Sequence, residues 1–461
     1  MYKPSNYNFV WPLEESKNIL VFNSLTTRLA EIQGGFMHIL GSKQVDPGGL
    51  SAEEKNVAGE LIKDGFLVDE SVDELKIIKF NSASQKYNKD VLFLTIAPTL
   101  DCNFKCTYCF QDSRPASFMP EEVQEAIVKY VSKSVRRVDR LYITWFGGEP
   151  LLAKDIIYRL SGEINDLARK NGSSCASFMV TNGSLFDNDS ICRLKDSGIR
   201  SFQITLDGPP RIHNKRRSLA QNGDVQDSFE IILSNIKNLI KNEMKVNIRV
   251  NLDDSNIDSI EELIDTLVDS GIKNVNIYPA QVVPLTDACK SVESACLNKK
   301  EFAEIGSRFY EMLMRKGFKT DYSSIYPRRK SNFCGADQIN SLCIGPDGLI
   351  YKCWSDFGIK ENNVGNIMDL SMGKKLKASH ISWLTWDPLD FNQCRKCKVL
   401  PLCMGGCPHN GMKINGGRPE CSEIRFNLES IVKNHYRCVK IKEYCKMAFD
   451  QAPLQTQEPR A

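Results

Sequence analysis

Between residues 91 and 288 short apolar runs alternate with longer amphipathic ones, and this alternation limits the fold more than any other feature. The apolar runs are VLFLTIAPT, LYITWFG, ASFMVTN, SFQITL, KVNIRVNL and KNVNIYP. They are rich in Val, Ile, Leu and Phe, as parallel strands covered on both faces are. Between them stand PEEVQEAIVKYVSKS, KDIIYRLSGEINDLARKNG, DSFEIILSNIKNLIKN and DSIEELIDTLVDSG, which read as helices, several ending at Gly. Six strands joined by helices predict an α/β fold, a partial (β/α)6 TIM-like barrel with right-handed crossovers. Its chemistry is expected at the C-terminal strand ends. The motifs agree. Cys102 follows the first strand, FGGEP (Phe146 to Pro150) the second, TNG (Thr181 to Gly183) the third and LDG (Leu206 to Gly208) the fourth.

Seventeen cysteines in 461 residues is unusual for a chain with 42% apolar and 25% charged residues. The number is odd, and MYKPSNYNFVWPLEE has no basic segment followed by an apolar one, so a secreted disulfide scaffold is not expected. Cytoplasm is the expected location. Five histidines make any metal chemistry thiolate-dominated. The net charge of +3 gives no reason to expect nucleic acid or an anionic membrane as partner. No run approaches the ~20 apolar residues of a membrane helix.

Cys102, Cys106 and Cys109 have the spacing C-x3-C-x2-C, with no fourth cysteine nearby. A structural zinc or a closed cluster takes four protein ligands. Three thiolates leave one position for an exchangeable group; a zinc site completed by a distant ligand is the alternative. This motif, with Tyr108 before its last cysteine and after the first strand of a βα barrel, resembles the radical S-adenosylmethionine (SAM) superfamily. The resemblance covers roughly residues 90 to 280. It implies a 4Fe–4S cluster whose open iron binds SAM, cleavage of SAM to a 5′-deoxyadenosyl radical, and hydrogen abstraction from a substrate. It further implies that Gly147, Gly148 and Glu149 receive the methionine amino group, with Glu149 accepting from it. Tyr108 is then near the adenine. Thr205, Asp207, Asn182 and Arg249 match strand-end residues that contact SAM. Alone, Arg249 also reads as a strand residue pairing Asp253. Arg216 and Arg217 read as a solvated or substrate-facing basic run.

Downstream stand Cys334, Cys343, Gly348 and Cys353, then Cys394-x2-Cys397-x5-Cys403-x3-Cys407, then Cys421. This resembles the SPASM domain. The resemblance implies two auxiliary 4Fe–4S clusters, three clusters in all. Cys334, Cys343, Cys353 and Cys407 would hold one, and Cys394, Cys397, Cys403 and Cys421 the other. A pair of zinc sites is the alternative from spacing alone. Of the six remaining cysteines, Cys289 and Cys296 are candidates for handling a substrate thiol.

Residues 1–90 read as short strands (YNFVWPL, NILVFN, TRLAEI), a helix capped by Ser51, and a closing strand FLVDE. They resemble a winged-helix-like peptide-recognition module that binds a leader as an added strand; an extension that packs on the next domain is the alternative. The expected organisation is 1–90 recognition module, 91–288 radical SAM core, 289–330 connector with a helix near Lys300 to Arg315, 331–440 cysteine-rich iron–sulfur domain with little regular structure, and 441–461 frayed tail.

Relatives joining such a core to a SPASM domain mostly modify peptides or protein side chains. The N-terminal module and Trp354 after Cys353, where sulfatase maturases usually have Asp, favour a peptide maturase over an anaerobic sulfatase-maturating enzyme that makes formylglycine. The expected partners are a precursor peptide with its leader and an electron donor such as flavodoxin or ferredoxin. A small-molecule substrate and a non-enzymatic metal scaffold are the remaining alternatives. No residue is singled out as a catalytic base.

Overall fold

The computed structural model describes residues 1–450 apart from 14–15, 112–116, 222–223, 321 and 370–376; at 220–221, 224–226, 287–288 and 441–450 it describes the backbone alone. Residues 1–90 contain β1 (Tyr2–Pro4), β2 (Asn8–Pro12), β3 (Asn18–Asn23), β4 (Leu29–Gln33), α1 (Ala52–Lys63), β5 (Leu67–Asp69) and α2 (Glu74–Lys86). Strands β2, β3 and β4 form an antiparallel sheet, and β1 pairs with β5. Ser51 caps α1 as expected: its hydroxyl accepts from the Glu54 amide while the Glu54 carboxylate accepts from the Ser51 amide, a capping box. NILVFN is the central strand β3, so the edges of this sheet are β2 and β4. Helix α2 was not expected from the sequence; Asp73 caps it.

This module has two apolar faces. Val21, Ile39, Leu61 and Phe66 form its own small core. Leu20 and Phe22, on the other face of β3, pack against Leu402, Cys403 and Val432 near the far end of the chain. Lys398 Nζ adds a 2.9 Å bond to the Asn8 carbonyl. The module therefore docks on the cysteine-dense region.

The barrel contains β6 (Val91–Ile96), β7 (Phe104–Cys106), α3 (Glu121–Ser134), β8 (Arg140–Trp145), α4 (Lys154–Lys170), β9 (Ser174–Thr181), α5 (Asn188–Asp196), β10 (Ile199–Thr205), α6 (Pro210–Arg216), β11 (Arg217–Gln221), β12 (Asp224–Gln226), α7 (Phe229–Lys241), β13 (Lys245–Leu252), α8 (Ile260–Asp269) and β14 (Asn276–Gln281). Strands β6, β8, β9, β10, β13 and β14 lie side by side in chain order, each pair parallel, as five successive crossovers of one hand require. Helices α5 and α6 complete the alternation; their segments were not among those named from the sequence. The strands alternate as a sheet covered on one face does. In β8, Leu141, Ile143 and Trp145 are buried beneath helices, while Tyr142, Thr144 and, just past the strand, Phe146 stand on the concave face and keep solvent contact. The covering helices place apolar residues every three or four positions, as with Ile157, Leu160 and Ile164 of α4 or Leu263, Ile264 and Leu267 of α8. Each such buried side chain contributes roughly 1.5–3 kcal/mol.

Beyond the barrel come α9 (Lys299–Arg315), as expected, then β15 (Ser341–Ile344), β16 (Leu349–Tyr351), β17 (Gly365–Asn366) and α10 (Ile424–Asp450). Strand β15 pairs with β6 in parallel, and β16 and β17 follow antiparallel, so among the described residues the sheet has nine strands. The cysteine-rich region is thus partly an extension of the barrel sheet. Two expectations change here. Residues 331–440 contain more regular structure than expected, and α10 runs through the boundary drawn at 440, its backbone helical to Asp450. Residues 451–461 of the expected tail lie outside the described residues. No helix among the described residues is long and apolar enough to cross a membrane.

Candidate active site

The first cysteine motif occupies the loop after β6. Three of its residues, Phe104 to Cys106, form β7, which pairs antiparallel with β11 so that Cys106 faces Arg217 in register. The Thr107 amide bonds the Arg216 carbonyl at 3.0 Å, and the Cys109 amide turns back to the Cys106 carbonyl at 3.2 Å. A hairpin more than one hundred residues downstream therefore holds the loop that carries three thiols.

Gly147 and Gly148 lie against the same loop. The Gly148 amide bonds the Thr99 carbonyl at 3.2 Å and the Glu149 amide bonds the Asp101 carbonyl at 2.8 Å. A Cβ at Gly147 would stand 2.2 Å from the Thr99 oxygen, and one at Gly148 would stand 2.1 Å from the Asp101 oxygen. The φ of Gly147 is 131°. Glycine is required here first by the approach of two chain segments.

Glu149 differs from expectation. Its carboxylate is fully buried. Oε1 accepts from the Leu151 amide at 3.0 Å and from the Thr181 hydroxyl at 2.7 Å, and Oε2 accepts from the Asn182 amide at 2.7 Å. Burial raises its pKa, and these three bonds oppose the rise. Glu149 ties the end of β8 to the end of β9, while the backbone of Gly147 and Gly148 keeps solvent contact on the rim. Asn182 continues the tie: its side-chain Nδ2 donates to Asn103 Oδ1 at 2.8 Å, inside the cysteine loop.

The third and fourth motifs meet in a buried polar network. Tyr108 donates to Asp207 Oδ2, and its oxygen accepts from Arg217 at 2.9 Å and from Asn251 at 3.0 Å. The other Asp207 oxygen accepts from the Asn251 amide at 2.8 Å. Arg216 binds both Asp253 oxygens, at 2.7 and 2.8 Å, and lies 3.8 Å from Asp207. Burial raises the Tyr108 pKa well above its usual value. Burial opposes the charge on Arg217, but Cys106, Tyr108 and Asp207 hold it on. These contacts correct two expectations. Arg216 and Arg217 are buried rather than solvated, because Asp253 and Asp207 balance their charge and the Tyr108 oxygen accepts from Arg217. Arg249 bonds Asn251 at 2.7 Å, and Asp253 pairs with Arg216 instead. Thr205 is buried and stands beside Arg249 in the β10–β13 register. Sequence reasoning missed Asn103 and Asn251, and gave Asp253 the wrong arginine. Only the parallel register brings Asn251 beside Asp207, so no local signal marks it.

The downstream cysteines form two groups. Cys394, Cys397, Cys403 and Cys421 line one cavity with Leu400 and Arg425, and Arg425 Nη1 lies 2.9 Å from the Cys421 sulfur. In the other group, Cys334 is within electrostatic reach of Cys407 and Cys343, and Cys353 of Cys343. Cys343 faces Thr95 of β6 and Tyr351 of β16 in register, which puts this group at the edge of the concave face. Burial pushes the Cys343 and Cys394 thiols up to about 12. Among the described residues no three His, Cys, Asp or Glu side chains are gathered closely enough to hold a single metal ion.

Trp354 is 43% exposed and stacks on Phe146 at 5.2 Å, with Phe357 also stacked on Phe146 at 6.1 Å. This aromatic shelf adjoins Gly147. Asp356 is fully buried, accepts from Asn362 and lies 3.4 Å from His409. Cys289 is also fully buried, with its sulfur bonded to Thr286, so a substrate thiol cannot reach it.

The Radical SAM superfamily model matches residues 96–267. The cysteine-type anaerobic sulfatase-maturating enzyme of Clostridium perfringens is 23% identical over 382 residues, covering 78% of this chain and 96% of that protein. The solved structure of native anSMEcpe with bound AdoMet is similar at a TM-score of 0.60 and 20% identity, over 75% of this chain and 100% of that one. Streptococcus suis SuiB bound to precursor peptide SuiA is similar at a TM-score of 0.52 and 15% identity, over 92% of this chain and 99% of that one.

Proposed function

Because this chain carries a radical SAM domain and is homologous to anaerobic sulfatase-maturating enzymes, we propose that it is a radical SAM enzyme acting on a peptide or protein side chain. More narrowly, we read it as a maturase of a ribosomally made precursor peptide that forms a thioether or carbon–carbon crosslink. The convergence of the cysteine loop, the Gly147–Gly148 backbone and the Tyr108–Asp207 network on one rim supports the radical SAM part of this reading. In it, Cys102, Cys106 and Cys109 hold a SAM-binding 4Fe–4S cluster, and the other eight cysteines hold two auxiliary clusters. When bound, the cluster and SAM supply the hydrogen-abstracting 5′-deoxyadenosyl radical.

The chain's own residues bind and position. Arg217 and the β11 pairing hold the loop carrying Cys106. The exposed backbone of Gly147 and Gly148 receives the SAM amino group, with Glu149 fixing that backbone from behind. Thr205, Asp207, Asn182 and Arg249 line or support the SAM side of the rim, and Tyr108 orients the adenine side. Trp354 and Phe146 offer an apolar surface to the substrate. Residues 1–90 bind the leader along an edge strand, β2 or β4, by backbone hydrogen bonds. SuiB, similar across almost the whole chain, is bound to precursor peptide SuiA in its structure. An external donor such as flavodoxin or ferredoxin supplies the electron.

The second reading is a sulfatase maturase, favoured by the extent of the Clostridium perfringens match. Trp354 follows Cys353 here, and Asp356 is fully buried, so neither offers a carboxylate at that surface.

Anaerobically reconstituted protein, reduced with dithionite and given SAM, tests the assignment. Production of 5′-deoxyadenosine is expected. With a short peptide encoded beside this chain, a loss of two hydrogen atoms is the expected mass change. An aldehyde formed instead on a sulfatase-derived peptide would favour the second reading. Zinc without deoxyadenosine would remove both.

A further inference from the structure

The stretch WSDF after Cys353 sends its side chains in two directions. Residues Trp354–Asp356 form a 3-10 turn, closed by a 3.2 Å bond from the Phe357 amide to the Trp354 carbonyl. Asp356 turns inward, where Asn362 donates to it at 2.8 Å. Trp354 turns outward and is 43% exposed. Three rings then stand in a row. Trp354 is stacked on Phe146 at 5.2 Å with the planes 13° apart, and Phe146 on Phe357 at 6.1 Å and 27°. Tyr351 meets Phe357 edge-on at 5.6 Å, and both belong to a buried apolar cluster with Ala97, Leu100 and Cys343. The row is thus anchored at its inner end. Among the described residues no further ring is stacked on Trp354.

The open end of the row stands between two parts of the site. Phe146 immediately precedes the Gly147–Gly148 backbone, and Trp354 immediately follows Cys353. The adjoining wall is uncharged: the concave positions of β6 and β8 are Phe93 and Thr95, in register with Tyr142 and Thr144. Lys352 and Asp356, the charged residues on either side of Trp354 in sequence, are buried. Arg249 stands on β13, three strands away from β8. An indole held by stacked rings is already ordered, so a flat apolar group that lies on it gains contact at little further entropic cost. A cation could also lie over the indole, but it would find no carboxylate on this wall.

We propose that Trp354 is a specificity-determining residue whose outer face receives one aromatic side chain, Phe, Tyr or Trp, of the peptide substrate beside the reacting residue. This rests on the peptide-maturase reading above and names the kind of side chain that site selects. Phe146 and Phe357 act through Trp354 by fixing the plane of its ring.

The test uses the full chain, anaerobically reconstituted, and the short peptide encoded beside it, with each aromatic residue of that peptide replaced in turn by Ala. With wild-type enzyme, one such replacement is expected to raise KM about tenfold, as the loss of a stacked aromatic pair should, with kcat changed less. W354A should raise KM for the native peptide by a similar factor and W354F by less. W354A acting on the Ala-substituted peptide should show no further rise, because the two changes remove one contact. Iron content and SAM affinity of W354A should match wild type and report that the site is folded. Additive losses would overturn the proposal. So would aromatic positions that are all replaceable without effect on the wild-type enzyme, a Lys or Arg position that carries the coupling instead, or a modified peptide with no aromatic residue. SAM affinity weakened in W354A as much as peptide affinity would give the ring to the cofactor and overturn it too. Each of these leaves the maturase reading intact. Wild-type enzyme that cleaves SAM but modifies no peptide would remove that reading, and this inference with it.

Discussion

Tyr108, between the second and third cysteines of the first motif, donates its phenolic proton to Asp207, 99 residues downstream at the end of β10. The same oxygen accepts from Arg217 and Asn251, so one hydroxyl joins the cysteine loop to three later segments. Y108F leaves a buried carboxylate and a buried guanidinium each short of a partner. A loss of about 1–3 kcal/mol is expected, as for hydrogen bonds to charged groups. A double-mutant cycle with D207N, read by urea unfolding, should show coupling. Additive losses would mean that the two side chains act independently.

Gly147→Ala and Gly148→Ala should each displace the cysteine loop, since the new methyl meets a backbone oxygen at 2.2 or 2.1 Å. Backbone atoms cannot rotate aside as a side chain can. The expected result is selective loss of the first cluster's irons, with SAM binding lost as well. Wild-type iron and SAM affinity in either variant would contradict this.

Replacing Cys102, Cys106 and Cys109 together by Ala should abolish 5′-deoxyadenosine formation and leave about eight of roughly twelve irons. Continued SAM cleavage by the triple variant would sink the assignment of the first motif.

Deleting residues 1–90 does not test leader binding cleanly, because Leu20 and Phe22 are fully buried against Leu402, Cys403 and Val432. Phe22→Ala should cost about 3–5 kcal/mol, the usual range for a buried Phe. It should also loosen the cavity lined by Cys403, seen as faster iron loss to a chelator. Exposed side chains on β2 and β4 are the better probes of peptide affinity.

His213 is fully buried, and burial, then Arg217 and Arg216, push its pKa well below its usual value. The unfolded chain therefore takes up a proton near pH 6.5 that the folded chain refuses. Stability falls as pH drops below that value, by up to ~1.4 kcal/mol per pH unit. Urea midpoints between pH 5 and 7.5 should show a shallower acid loss in H213N than in wild type. Parallel curves would show that His213 titrates alike in both states.

The sequence by itself determined the six barrel strands, their order and the placement of four motifs on one rim, because a strand's period and its flanking glycines are local properties. It also set eleven of the seventeen cysteines apart, by spacing and by resemblance to known motifs. Tertiary structure decided what those motifs touch. Glu149 is turned inward because Thr181 and Asn182, on the next strand, offer it donors; nothing near FGGEP in sequence announces them. Arg216 and Arg217 look like a solvated pair until Asp253 and Asp207 arrive from other segments to balance their charge and Tyr108 to accept a hydrogen bond. Helix α10 was missed since its polar composition becomes helical where it packs against β3 and α9. The docking of NILVFN on the cysteine-rich region and the pairing of β15 with β6 are contacts between distant segments. Their energy comes from burying surfaces that no single window of sequence contains.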